Sequence, residues 1–217
     1  MKTLNQSIAE NRVILNPVSW ETFNHLLNDL GNQRASRLAY YQGIIEIMTP
    51  LGEHEHNNRF IDDLIRAIAD ELNLNLKKMG SLTLKKDNIK QGVEPDSCYY
   101  LKNEPLVRNK QTIDLNIDPA PDLVLEIDIT SGSLDKLPIY GALGVTEIWR
   151  YNGNQLNVFI LDKVTLTYHQ SKNSRIFSWL DLKQIPQLIQ QSLSDGDTAT
   201  LKNFRRWIRE NISISGG

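Results

Sequence analysis

The chain has a single cysteine, Cys98. No intramolecular disulfide can form, a pattern that fits a reducing cytoplasm. No apolar run approaches the roughly 18 residues of a membrane span, so no membrane partner is expected. The first residues lack the basic-then-apolar order of a secretory signal. Basic residues are not in excess: 24 Lys and Arg stand against 26 Asp and Glu, a formal charge of −2. Any nucleic-acid partner must therefore be met by a local basic patch rather than by the charge of the whole chain. Internal repeats and low-complexity tracts are also missing. What remains is the composition of an ordinary globular protein, 40% hydrophobic and 23% charged. Its 217 residues suit one domain with at most an appendage.

Residues 1–16 read as a polar leader, and 17–217 as one domain with a C-terminal helical tail. Val18 to Leu30 has Phe23, Leu26, Leu27 and Leu30 at helical spacing, with Gly31 as the stop. Leu38 to Met48 reads as a hairpin turned at Gln42-Gly43, with Ile45 and Ile47 on one face and Ile44, Glu46 and Met48 on the other. Asn57 to Leu74 is the clearest helix, its stripe built from Phe60, Ile61, Leu64, Ile65, Ile68 and Leu72. Ser81–Lys85 and Ser97–Leu101 are short strand candidates, and 102–119 reads as a loop. A helix is expected from near Pro138 to Leu143, ending at Gly144. Glu147–Tyr151 and Leu156–Leu161 form a further hairpin, and a last helix spans Leu201 to Asn211. The order predicts a mixed α/β (α+β) domain around one main sheet.

The functional signal lies in Pro121 to Thr130. Side chains alternate across a strand, so Leu123, Leu125, Ile127 and Ile129 face one way, and Asp122, Glu126 and Asp128 the other, with Val124 among them. The aliphatic face belongs in a core. Carboxylates on a buried sheet are costly unless paired or bound to a metal, so the acidic face points to a cation site. Asp122 and Glu126 are roughly 13 Å apart along a strand, too far to share one ion readily. Glu126 and Asp128 are closer, but a second strand must supply further ligands. Val93-Glu94-Pro95-Asp96 precedes a strand candidate, and if that strand neighbours 122–130, Asp96 and Glu126 converge. Two carboxylates, waters and phosphate oxygens are what Mg²⁺ prefers.

The blocks Gly92–Asp96, Pro121–Thr130 and Pro138–Arg150, with Met48–His54 ahead of the long helix, resemble the Uma-type endonuclease family. That family belongs to the restriction-endonuclease-like PD-D/E-x-K superfamily, and the resemblance spans roughly residues 17–210. It implies a restriction-endonuclease-like fold, a central mixed sheet flanked by helices, and metal-dependent cleavage of DNA. Asp96 matches the first metal-binding acid and Glu126 the acid of E-x-K. The lysine due two residues after Glu126 is absent, and Asp128 stands there. Lys136 is the matching replacement, in a K-x-x-x-Y pattern with Tyr140. Glu46 is a further candidate acid, and His54 is placed at the rim. The implied cofactor is Mg²⁺ or Mn²⁺, held by Asp96, Glu126 and Asp128. DNA is the expected partner, and a homodimer follows by analogy, since two strands need two cuts.

Plainer roles compete with these. Asp122 reads as a strand-start or capping residue. Asp128 is either a third acid or the salt-bridge partner of Lys136, and Lys136 itself is either catalytic or a solvated loop lysine. His54 and His56 flank Glu55 as a helix-leading polar cluster would. Tyr99, Tyr100, Trp149 and Tyr151 are offered either to nucleic-acid bases or to the core. Lys202, Arg205, Arg206 and Arg209 form a basic helix face, solvated or in contact with DNA. Besides the endonuclease, two functions stay open: a catalytically degenerate nuclease fold that binds nucleic acid, and an interaction module whose acids only stabilise the fold.

Overall fold

The computed structural model describes residues 9–31, 33–129 and 134–215, the last four without their side chains. In chain order the elements are β1 (Glu10–Leu15), α1 (Trp20–Leu30), β2 (Arg37–Tyr41), β3 (Ile44–Pro50) and α2 (Gly52–Glu71). Then come β4 (Lys77–Lys78), β5 (Leu84–Lys86), β6 (Gln91–Val93), β7 (Ser97–Tyr100), α3 (Glu104–Val107) and β8 (Leu123–Ile127). The chain continues with α4 (Leu137–Leu143), β9 (Glu147–Tyr151), β10 (Leu156–Asp162), β11 (Thr167–Ser171), α5 (Gln184–Asp195) and α6 (Asp197–Ser215).

The strands form two sheets. One has five antiparallel strands in the order β1-β3-β2-β6-β5, and the other has six in the order β11-β10-β9-β8-β7-β4. Within the six-stranded sheet β8 and β9 run parallel, joined through α4, and the other neighbours are antiparallel. This is the expected mixed sheet. Its two faces make separate cores. Leu123, Leu125 and Ile127 of β8 pack with Phe60, Ile61, Leu64 and Ile65 of α2 and with Ile189 and Phe204 of α5 and α6. Val124 packs on the opposite side with Ile139, Tyr140 and Leu143 of α4. The alternation read along 123–127 is therefore real, and each fully buried aliphatic there contributes about 1.5–3 kcal/mol.

The local signals explain most elements. Ser19 caps α1, its Oγ accepting from the Thr22 N–H at 3.0 Å. Trp20 and Phe23 then bury against Leu38, Tyr40 and Ile45. Gln42 and Gly43 both take positive φ, 49° and 84°, the geometry that a two-residue hairpin turn demands. Gly144, at φ 90°, ends α4.

Other elements depart from the sequence reading. The five-stranded sheet is additional to the one main sheet expected. The leader over 1–16 is corrected in its second half: Glu10–Leu15 is an edge strand paired with β3, Arg12 opposite Met48 and Ile14 opposite Glu46. Glu10, Asn11 and Arg12 are polar on both faces, so no two-residue period announces the strand. Residues 1–8 lie outside the described residues, as do Thr130 and its next three neighbours. Helix α2 begins at Gly52 rather than Asn57, which takes His54 into its first turn. Strand β11, helix α5 and the one-turn α3 were not anticipated.

Candidate active site

The chain leaves the five-stranded sheet at Val93 and enters the six-stranded sheet at Ser97, with Glu94-Pro95-Asp96 as the passage. Proline lacks an N–H for a ladder and suits such a strand start. Ser97 pairs with Leu125 across the β7–β8 ladder, so one step further Asp96 stands beside Glu126. Asp96 Oδ2 accepts the Ile127 N–H at 2.8 Å, which locks the two acids in register. Both are buried.

Lys136 immediately precedes α4 and is buried, its Nζ donating to Glu126 Oε2 at 2.8 Å. Tyr140, one turn along α4, donates its hydroxyl to Glu126 Oε1. Glu46 arrives from β3, with Oε1 3.9 Å from Lys136 Nζ and Oε2 accepting the Leu134 N–H at 2.9 Å. Asp96, Glu126, Lys136 and Glu46 thus meet at the junction of the two sheets. Asp128 lies just beyond the end of β8 and pairs with Arg12 at 3.2 Å.

His54 is not at a rim. It is fully buried, with Nε2 3.3 Å from Asp96 Oδ2 and 3.4 Å from Glu10 Oε2. The early start of α2 puts it there. Arg37, from β2, brings Nε to 3.0 Å from Asp96 Oδ1. Sequence reasoning missed Arg37, Arg12 and Glu10. None sits in a pattern that sets it apart from a surface charge, and only strand pairing brings them inside.

The ionisations follow from these neighbours. Burial works to raise the Asp96 carboxyl, but His54, Arg37 and Lys136 outweigh it and hold the group below the ordinary carboxylate range. Burial raises Glu126, and Asp96 adds to the rise, against the pull of Lys136 and Tyr140. Burial would lower Lys136, yet Glu126, Asp96 and Glu46 keep it above its usual value, so it is a fixed cation.

Among the described residues six carboxylates (Glu10, Glu46, Glu55, Asp96, Glu126 and Asp128) are linked by ion pairs to four permanent cations, Arg12, Arg37, Arg59 and Lys136. With every acid ionised, the cluster carries a surplus of two negative charges before His54 is counted. Among the described residues His54 Nδ1 is buried without a hydrogen bond, while Asp96 Oδ1 and His54 Nε2 face Arg37 Nε at 3.0 Å and Asp96 Oδ2 at 3.3 Å as ion pairs. Polar capacity of this kind is normally met by water or an ion. Among the described residues no three His, Cys, Asp or Glu side chains form a ready-made metal cage. Mg²⁺ does not require one, since one or two carboxylates and waters suffice. Asp96 and Glu126 are the two carboxylates that such a site would use, and their oxygens are engaged by Arg37, His54, Lys136 and Tyr140.

Two openings reach the cluster. A cavity of about 10 Å³, about one water in size, is lined by Arg12, Glu126, Asp128, Leu134, Lys136 and Arg150. A groove of about 350 Å³ exposes the Asp96 side, between Arg37, Arg59 and Lys78 and the acids Glu55 and Asp62.

The remaining candidates take structural roles. Asp122 accepts from the Leu101 and Asn103 N–H groups and from Asn103 Nδ2, which ties the next loop to β8. Tyr99, Tyr100, Trp149 and Tyr151 are buried and closed to bases. On the basic face of α6, Arg205 and Arg209 pair with Asp70 and Glu71 of α2.

Comparison with known proteins gives the family and the fold. A family model described as "Putative restriction endonuclease" (Uma2) matches residues 20–194. Among solved structures, a putative nuclease belonging to DUF820 from Anabaena variabilis ATCC 29413 is similar, with a TM-score of 0.54 and 18% identity. The match covers 80% of this chain and 99% of that one. At that identity the likeness is one of fold, which is restriction-endonuclease-like. No curated protein matches the chain. Among the described residues no helix is long and apolar enough to cross a membrane.

Proposed function

The chain belongs to the Uma2 family, described as putative restriction endonucleases, and on that premise we propose that it hydrolyses phosphodiester bonds of DNA at the Asp96–Glu126–Lys136 cluster. The observation that carries this reading is the register of β7 on β8, which sets Asp96 beside Glu126 with Lys136 Nζ 2.8 Å from the latter. Asp96 and Glu126 would hold one divalent ion, Mg²⁺ or Mn²⁺. When bound, that ion supplies polarisation of the phosphate and a water of lowered pKa. Lys136 stays protonated among its acids and offers positive charge where the phosphate gains negative charge in the transition state. Tyr140 fixes the Glu126 carboxylate through its other oxygen. The lysine missing at position 128 is thus replaced from the segment before α4. Neighbouring phosphates would be met by Arg37, Arg59 and Lys78 along the groove, in exchange for their present pairs with Asp96, Glu55 and Asp62. A two-fold dimer would present one such cluster to each strand of a duplex.

The test is nicking of supercoiled plasmid in Mg²⁺ or Mn²⁺ by wild type and Glu126→Gln side by side. Glutamine keeps the shape and one acceptor but removes the charge that holds the ion, so the variant, like Asp96→Asn, should be inactive. Equal nicking by both proteins refutes the site. One observation favours a second reading, a nuclease fold that binds nucleic acid without cutting it: both Glu126 oxygens are already hydrogen-bonded, by Lys136 and Tyr140. DNA binding with no cleavage in either ion would establish it.

A further inference from the structure

Arg12 lies outside the residues that match the family model, 20–194, yet its side chain enters the acid cluster. Strand β1 pairs with β3 over six residues, which sets Arg12 opposite Met48 and Ile14 opposite Glu46, so Arg12 and Glu46 lie two residues apart across the ladder. Its guanidinium fork then meets three acids from three segments. Nη2 is 2.7 Å from Glu10 Oε1 and 3.2 Å from Asp128 Oδ1, and Nη1 is 2.8 Å from Glu46 Oε1.

One oxygen is decisive. Glu46 Oε1 lies 2.8 Å from Arg12 Nη1 and 3.9 Å from Lys136 Nζ. Two cations face it, and Arg12 holds the closer position. Lys136 instead donates to Glu126. The other Glu46 oxygen is fastened to the Leu134 N–H, so Glu46 stays where it is whichever cation it keeps. Asp128, two residues after Glu126, lines the same small cavity as Lys136 and is also paired with Arg12.

We propose that Arg12 is a positioning residue for the cleavage reaction: by taking the charge of Glu46 and Asp128, it leaves Lys136 to Glu126. This rests on reading the cluster as a nuclease centre. Without Arg12, Lys136 is the nearest cation to an unpaired Glu46 oxygen and shifts toward it. Glu126 then loses its internal counter-ion. A lysine at position 12 serves only in part, because a single ammonium does not reproduce a planar fork reaching separate carboxylates.

The experiment is a cycle of Arg12→Ala, Lys136→Met and the double variant, with Arg12→Lys alongside, all checked for folding by thermal melting. Two quantities are read: single-turnover cleavage of plasmid DNA, and Mn²⁺ binding followed by the paramagnetic resonance signal of the free ion. Arg12→Ala should lower turnover by about ten-fold or more, the scale of a misdirected charge at a reacting phosphate, with little change in KM for DNA. It should at the same time tighten Mn²⁺ binding several-fold, because Glu126 is released from Lys136. In the Lys136→Met background the Arg12 change should leave Mn²⁺ affinity where Lys136→Met alone sets it, the non-additivity of residues that act through one another. Arg12→Lys should fall between wild type and Arg12→Ala. A merely structural role for Arg12 predicts that turnover and Mn²⁺ affinity fall together, and that result overturns the proposal. Additive effects on Mn²⁺ affinity overturn it too, since Arg12 would then act directly on the ion. A wild type that binds Mn²⁺ and cuts, beside an Arg12→Ala that does the same equally well, refutes the role of Arg12 alone. A wild type that neither binds Mn²⁺ nor cuts refutes the nuclease reading and this inference with it.

Discussion

Gly141→Ala should destabilise this protein although it places a better helix former inside a helix. Gly141 lies within α4, where alanine is ordinarily favoured by about 1 kcal/mol. Here a Cβ would sit 2.3 Å from the Leu166 carbonyl oxygen, in the turn between β10 and β11. Relief needs a shift of roughly 1 Å by the helix or the turn, since carbon and oxygen pack no closer than about 3.3 Å. The turn resists. Asp162 accepts from the Val164 and Thr165 N–H groups, its carbonyl accepts from Leu166, and Leu166 already holds a positive φ of 56°. The helix is therefore the part that moves, and it carries Tyr140. Overpacking of this kind costs about 1–3 kcal/mol, more than the propensity gain. Set against that gain of about 1 kcal/mol, the net loss is up to about 2 kcal/mol, which lowers Tm by up to roughly 8 °C in a chain of this size. Thermal melting by circular dichroism measures it, with Gly52→Ala as control, because a Cβ there meets nothing within 4 Å. Gly141→Ala melting at or above wild type would refute the reasoning. If the centre cuts DNA, the displaced Tyr140 should also lower turnover, since misplacement by about 1 Å costs up to 10²-fold.

Cys98 is buried, and burial pushes its thiol up to about 12. The native protein should therefore be silent to a thiol reagent at pH 8 and react only on unfolding, and fast stoichiometric labelling without denaturant would contradict its burial. An unfolded thiol ionises from about pH 8.5. Above that pH the unfolded chain binds fewer protons at this site than the folded one, so its contribution to stability is complete below about 8.5 and declines as pH rises toward about 12. Cys98→Ala should flatten this alkaline limb in urea titrations, and an unchanged slope would exclude the thiol as its source. Ser19→Ala removes the side-chain acceptor for the Thr22 N–H at the start of α1 and should cost about 1 kcal/mol in urea unfolding. A loss within error of zero would mean that water replaces the cap at no cost.

Where periodicity and turn chemistry speak locally, the sequence by itself determined the structure. The 123–127 alternation, the turn at Gln42-Gly43, the apolar stripe of α2, and the bounds of α4 at Pro138 and Gly144 are all legible, because each is set by neighbours within a few residues. Asp96 and Glu126 were legible as candidates for the same reason: acids beside proline, or on a strand of aliphatics, stand out. Tertiary structure decided the rest. Glu10, Arg12 and Arg37 look like surface charges in sequence. Only the pairing of β1 and β2 with β3, and the passage of the chain between two sheets, turns them inward. Arg12 and Asp128 are separated by 116 positions, and no local pattern records such a partner. His54 followed the same rule, since its full burial depends on the first turn of α2 meeting Glu10 and Asp96. A buried charge is tolerated only by the partners it meets, and those partners come from segments that the fold alone brings together.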